Sequence, residues 1–392
     1  MRIGVDAATW SNRRGYGRFT RALLTAALRL DRENEYTFFV DDPSDEFPLP
    51  STVNVVRVNA GVPTVQAAAA QGSRSLGDMW RMSRALSAAD ADLFFFPSVY
   101  SYVPVTHRAP KLVGIHDVIA EVFPELTLPS ARARLFWRAK VKMGLAQARL
   151  VLTVSEYSRR KLSEVLKIPA SRLRVVSEAG DPVFRRLPPG CDAPALRRMG
   201  LSPGDRYLIY VGGISPHKNL GLLVDVFAEL AAQPDLGDVR LLLVGDYQGD
   251  VFHSCYKELS ASVRAHGLEQ RVTFTGYMGD AELVEVLNHA QALALPSFCE
   301  GFGLPAVEAA ACGAPVVVTM ESPLPELLGE GAIGLDPNDH NGWRDALASL
   351  LRDAGRRSRM GTAALAAAAK LSWDNSARQL LDVFDEMKGR HG

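Results

Sequence analysis

Short runs that are apolar on both faces alternate with longer amphipathic stretches along the whole chain. In the first half the runs are RIGVDA (2–7), YTFFV (36–40), VNVVRV (53–58), DLFFFP (92–97), KLVGI (111–115), RLVLTV (149–154) and LRVVS (173–177). Helical periodicity fills intervals at 18–30, 73–89, 130–148 and 156–166, with Ser155 placed to cap the last. A strand without a polar face is covered on both sides, so the alternation predicts parallel sheets flanked by helices. Residues 181–205, rich in Pro, Gly and Arg, interrupt the pattern. It restarts with strands at 206–211, 239–244, 271–276, 291–296 and 314–319, and helices at 219–231, 253–266, 280–290 and 305–312. From Asn341 the chain reads as helix to its end. The predicted fold class is α/β, with two doubly wound Rossmann-like domains facing across a cleft. The expected division is a first domain at 1–185, a linker at 186–205, a second domain at 206–372 and a terminal helix at 373–392. Ligands bind such sheets at the carboxyl ends of their strands.

Composition narrows the function classes. Of 392 residues 47% are apolar and 22% charged, a globular balance, and 44 basic residues offset 44 acidic ones. The charge is uneven: 27 basic against 18 acidic residues up to Gly190, then 17 against 26, which is +9 and −9. A neutral chain gives no support to a general nucleic-acid partner. Cys191, Cys255, Cys299 and Cys312 form no Cys-x-x-Cys pair and have no His at ligand spacing, so a reduced, cytoplasmic protein without disulfides or metal is expected. Asp6 interrupts the apolar core that a secretion signal needs, and no run approaches the ~20 apolar residues of a membrane span.

The most informative segment is ALALPSFCEGFGLPAVEAAACGAPVVVT (292–319). A strand ends at Pro296, a glycine-rich turn follows, and a helix begins with Pro305 in its first turn. Gly301 and Gly303 permit backbone conformations closed to other residues, and Phe302 and Leu304 complete a turn whose N–H groups suit an anion. Glu300 and Glu308 bracket it. Glu308 lies among Ala306, Val307, Ala309, Ala310 and Ala311, where a carboxylate is costly unless paired, and a ribose diol is one such partner. Otherwise Glu308 is a charge partner of the helix start and Glu300 a solvated loop residue.

The spelling E-G-F-G-L-P-x-x-E resembles the paired-glutamate element of retaining glycosyltransferases of family 4, which have the GT-B fold. GIHDVIAEVFPE (114–125), LTVSEYSRRKL (152–162) and YVGGISPHKNL (210–220) match in order and spacing, so the resemblance spans essentially the whole chain. It implies transfer of a sugar from a nucleotide diphosphate to a hydroxyl with retained configuration. The first domain would bind the acceptor and the second the donor, with the terminal helix crossing back to the first. His116 would lie against the donor sugar, with Asp117 either orienting it or capping the next segment. Glu300 would hold the sugar, Lys218 the diphosphate, and Glu308 the ribose. Many relatives carry an Arg where this chain has Gly213, leaving His217 or another cation to compensate. Gly15 and Gly17 would let the first loop approach the diphosphate, while Arg13, Arg14 and Arg18 either add positive charge there or form a solvated basic loop. The backbone at Tyr277 and Met278, before a helix capped by Asp280, would meet the nucleobase.

The resemblance further implies that the nucleotide-sugar is a substrate and that no cofactor or metal is needed. Its spelling is nearest to bacterial mannosyltransferases of polysaccharide assembly, which favours GDP-mannose, with a UDP-sugar second, and a glycan or lipid-linked acceptor. A nucleotide-sugar 2-epimerase or a non-catalytic sensor are alternatives of other classes. The segment 130–149 carries basic residues at 132, 134, 138, 140, 142 and 149, the first four positions flanking Leu135, Phe136 and Trp137. It is either a peripheral contact with the inner membrane face or a helix with its apolar side in the core.

Overall fold

The structure is a computed structural model and describes residues 1–13, 15–41, 46–61, 64, 75–128, 130–247 and 254–389. Arg14, the start of the helix expected at 73–89 and the first residue of that expected at 253–266 lie outside them. Two units result, one of residues 1–178 and 372–392, the other of 179–371.

Among the described residues the first unit holds a seven-stranded parallel sheet. Its strands are β1 (Arg2–Asp6), β2 (Glu35–Val40), β3 (Asn54–Arg57), β4 (Leu93–Phe96), β5 (Lys111–Gly114), β6 (Ala148–Thr153) and β7 (Leu173–Val175). Their order is β3-β2-β1-β4-β5-β6-β7. Central strands such as β4 (LFFF) are buried along their whole length, as runs without a polar face require. β3 departs from that rule: it lies at the sheet edge with all four residues exposed.

The second unit holds β8 (Tyr207–Val211), β9 (Arg240–Val244), β10 (Val272–Gly276), β11 (Ala292–Leu295), β12 (Val316–Thr319) and β13 (Ala332–Leu335), all parallel, in the order β10-β9-β8-β11-β12-β13. β13 was not expected; AIGL is short, contains glycine and stays half-buried at the edge, so it leaves no apolar signature. Residues 186–205 fold against this unit. The Leu187 N–H donates to Asn288 Oδ1 (2.8 Å) and the Ala195 N–H to Glu285 Oε2 (2.8 Å), while Ala193, Ala195 and Leu196 are buried.

The terminal helix Trp373–Gly389 belongs to the first unit. Phe384 is fully buried edge-on to Phe95 of β4 (5.7 Å), and Trp373 meets Phe19 (6.1 Å). Arg174 grips both Glu386 oxygens (2.6 and 2.5 Å), and Arg29 pairs with Asp374. Apolar burial supplies most of the docking energy, because such half-exposed ion pairs contribute little. Phe384→Ala should therefore lower unfolding free energy by about 3–5 kcal/mol in urea titration; a loss under about 1 kcal/mol would show that this helix is not part of the first core.

Candidate active site

In the second unit the turn after β11 is shaped by one glycine. Gly303 caps the helix Leu304–Ala311 at φ 93°, where a Cβ would come 2.6 Å from Leu324 Cδ1. Gly301 has no positive φ, so only one of the two glycines is there for its left-handed backbone. Pro305 sits in the first turn and Gly313 follows the C-cap Cys312, as expected. Phe302, Leu304, Ala306, Ala309 and Ala310 are buried, and Glu308 is only 3% exposed among them. A carboxylate at that depth costs several kcal/mol unless polar groups surround it. Gly180 lies beside it, with space for a Cβ 3.8 Å from Glu308 Cγ.

Lys218 occupies the last position of a 3-10 turn, Pro216–Lys218, rather than the start of a helix. Asn219 adopts a left-handed conformation (φ 55°) before the helix Leu220–Ala231. Its amide donates to Pro296 O (3.2 Å) and Pro337 O (2.8 Å), and the Phe298 N–H donates to His217 O (3.0 Å). These bonds tie the turn after β8 to the turn after β11. Lys218 Nζ consequently donates to Glu300 Oε1 at 2.7 Å, and Ser297 Oγ donates to the same oxygen at 2.6 Å. The two charged side chains are 18% and 10% exposed, so Glu300 is not a solvated loop residue.

Burial, with Lys218 beside it, pushes His217 down to about 3. That direction favours the neutral ring, whose Nδ1 lies 3.2 Å from Ser215 Oγ. The Gly213 carbonyl accepts from Tyr210 Oη (2.8 Å) at the end of β8. Tyr277, 57% exposed, and Met278 follow β10 at the same carboxyl edge, two strands beyond β8. The helix after them is capped by Gly279, with Asp280 in its first turn, which corrects the expected cap.

In the first unit His116 follows β5. Its Nε2 lies 2.9 Å from Pro97 O, an arrangement that requires Nε2–H as donor and leaves Nδ1 as the lone-pair side. Phe19 packs edge-on against the ring at 4.5 Å. Nδ1 is 3.8 Å from Glu178 Oε1, with Glu178 buried and the His116 side chain 13% exposed. That separation exceeds hydrogen-bond reach, and burial dominates, lowering His116 to about 4. Asp117 accepts from the Ile119 N–H (2.9 Å) and so caps the following segment. Glu178 escaped the sequence reading; its one signal is an acidic residue just past a strand, in VVSEAGD. Gly15 opens the helix Gly15–Leu30 and is exposed, while a Cβ at Gly17 would fall 2.0 Å from Asn12 O. Arg13 pairs with exposed Glu46.

The helix Ala131–Gln147 buries Lys140, Val141 and Gly144 but leaves Leu135 71%, Phe136 44% and Met143 40% exposed, so its apolar residues are only partly in the core. Among the described residues no helix is long and apolar enough to cross a membrane, and no three His, Cys, Asp or Glu side chains gather as a metal site.

Two family models match the chain: Glycosyltransferase Family 4 over residues 14–182 and Glycosyl transferases group 1 over 194–366. The D-inositol 3-phosphate glycosyltransferase of Nocardia farcinica is 33% identical over 287 residues, covering 72% of this chain and 61% of that protein. The match thus spans less than two thirds of that relative's length. The O-antigen chain mannosyltransferase B of Escherichia coli is 29% identical over 285 residues, covering 72% of each chain. Sucrose-phosphate synthase from Thermosynechococcus elongatus has the same fold, with a TM-score of 0.79 at 19% identity over the whole of both chains. With both halves matched in order, and the glutamate-bracketed turn in the second, the chain belongs to the family 4, group 1 glycosyltransferases of GT-B fold.

Proposed function

We propose that the chain is a retaining, metal-independent glycosyltransferase that moves a sugar, mannose from GDP-mannose in the first instance, to a hydroxyl of a glycan or lipid-linked acceptor. The observation that carries this reading is the largely buried Lys218–Glu300 pair that joins the turns after β8 and β11, with a buried Glu308 in the glycine-capped helix that follows the second turn. Each charge is desolvated, and each has a natural counterpart in a nucleotide-sugar. A diphosphate replaces Glu300 as the partner of Lys218, a ribose diol donates to Glu308, and Glu300, once released, accepts sugar hydroxyls. The name of the Escherichia coli relative favours mannose as the sugar.

In this reading the acceptor oxygen bonds to the anomeric carbon on the face from which the diphosphate departs. The C–O bond to phosphate breaks, and a departing phosphate oxygen takes the acceptor's proton. Lys218 and the N–H groups of residues 301–304 stabilise the growing negative charge, so no metal is required. His116, neutral and fixed through Nε2, supports the sugar ring as it becomes cationic.

The lipid-linked form of the acceptor draws support from the exposed Leu135, Phe136 and Met143, which lie among exposed Arg132, Arg138 and Lys142 on one helix. Apolar insertion combined with basic charge suits an anionic bilayer surface.

Thermal-shift measurement with GDP, UDP, ADP and dTDP should give GDP the largest rise, near 2.7 kcal/mol of stabilisation at about 100 Kd, and Glu308→Gln should abolish it. A UDP-first ranking would move the donor to a UDP-sugar, and no shift with any nucleotide would contradict the reading. In a transfer assay the rate should survive exhaustive chelation, and the product should keep the donor's anomeric configuration. His116→Ala should lower kcat by about 100-fold with donor KM within about threefold; normal turnover would remove His116 from the chemistry. Sedimentation with phosphatidylglycerol vesicles should weaken about tenfold in Leu135→Asp/Phe136→Asp, and unchanged sedimentation would exclude that face as the membrane contact.

A further inference from the structure

Three aromatic rings from separate segments form a row at the carboxyl edge of the first sheet. Tyr16 comes from the helix after β1, Tyr100 from the loop after β4, and Trp137 from the helix Ala131–Gln147 after β5. The sheet order places β1 beside β4, where strand order reverses, and that is where a doubly wound sheet opens to ligands. Tyr16 and Tyr100 stack at 5.2 Å and 16°, and Tyr100 meets Trp137 at 4.8 Å and 42°.

The rings differ from core aromatics such as Phe94, Phe95 and Phe96, which are fully buried, because all three remain half-exposed. They are nevertheless anchored, Tyr16 and Trp137 through polar atoms of their rings and Tyr100 through its backbone carbonyl and its packing between the other two. Asn12 Nδ2 donates to Tyr16 Oη (3.0 Å), the buried Lys140 ammonium donates to the Tyr100 carbonyl, and Trp137 Nε1 donates to Glu121 Oε1 (2.7 Å). Half-exposed rings fixed by polar tethers and by ring-on-ring packing are a preorganised surface, since little rotamer freedom remains to be lost on binding. Burial raises the Glu121 carboxyl to about 7, offset in part by the Trp137 bond and reinforced by Asp117. It therefore both donates and accepts near neutral pH. Aromatic faces are electron-rich and match the C–H face of a pyranose, whose hydroxyl rim needs polar groups of this kind alongside.

We propose that Tyr16, Tyr100, Trp137 and Glu121 form a subsite for a pyranose ring of the acceptor, stacked on the row with its hydroxyls turned to Glu121. The proposal rests on the transferase reading for the word acceptor, but the binding it predicts is measurable without any transfer.

Saturation-transfer NMR on the full chain with methyl α-D-mannopyranoside and methyl β-D-glucopyranoside, in the absence of donor, tests it. Ring protons of at least one glycoside should be saturated by the wild type. The signal should fall about fivefold or more in Trp137→Ala and in Tyr100→Ala, recover in Trp137→Phe, weaken in Glu121→Gln, and persist in Trp80→Ala, which alters an exposed ring elsewhere. No saturation by the wild type, or equal saturation by Trp137→Ala, overturns the subsite. Loss of the glycoside signal on adding GDP or UDP would mark the row as a nucleobase platform and overturn it too. Saturation of a glycoside by a chain that transfers no sugar would instead sink the transferase reading and leave the subsite standing.

Discussion

The second unit is organised around charges that have been taken out of water. Lys218 and Glu300 face each other at 2.7 Å with little solvent access, and Glu308 lies deeper still in a helix of alanines. Breaking a buried pair by removing one member costs about 3–5 kcal/mol, because the other is left uncompensated. Buried charges of this kind are a poor device for stability, since well-packed apolar residues do the same work at lower cost. They are a good device for exchange. In the proposed reading, a ligand bearing phosphates and diols offers each group a new partner.

The fold supplies the Lys218–Glu300 pair through strand ends. β8 and β11 are neighbours, and their turns are joined by the Asn219 amide and the Phe298 N–H. A lysine and a glutamate separated by 82 residues in sequence thereby reach one oxygen's distance. The first unit repeats the logic at β1 and β4, where Tyr16 and Tyr100 stack, and at β5, where His116 is fixed against Pro97. In both sheets the strand-order reversal is where polar and aromatic chemistry collects.

The central strands and most helices were legible because a strand covered on both faces has no polar positions, and helices between such strands repeat at 3.6 residues. Edge elements were not: β13 has no apolar run, and β3 has one but exposes it. The glutamates and Gly303 were readable because an isolated carboxylate among alanines and a glycine before Leu-Pro are local signals. What lay beyond reach was tertiary. Nothing near Lys218 in sequence announces Glu300 as its partner, nor does VVSEAGD announce that Glu178 lies 3.8 Å from His116. The row of Tyr16, Tyr100 and Trp137 joins three segments whose local patterns look like a loop, a loop and a helix face.

The most direct measurement is a crystal structure of the protein soaked with GDP-mannose. The account predicts Glu308 oxygens in hydrogen-bond contact with the ribose diol, and Lys218 Nζ moved from Glu300 onto a phosphate oxygen. A nucleotide bound elsewhere, with the Lys218–Glu300 contact still at 2.7 Å, would contradict it.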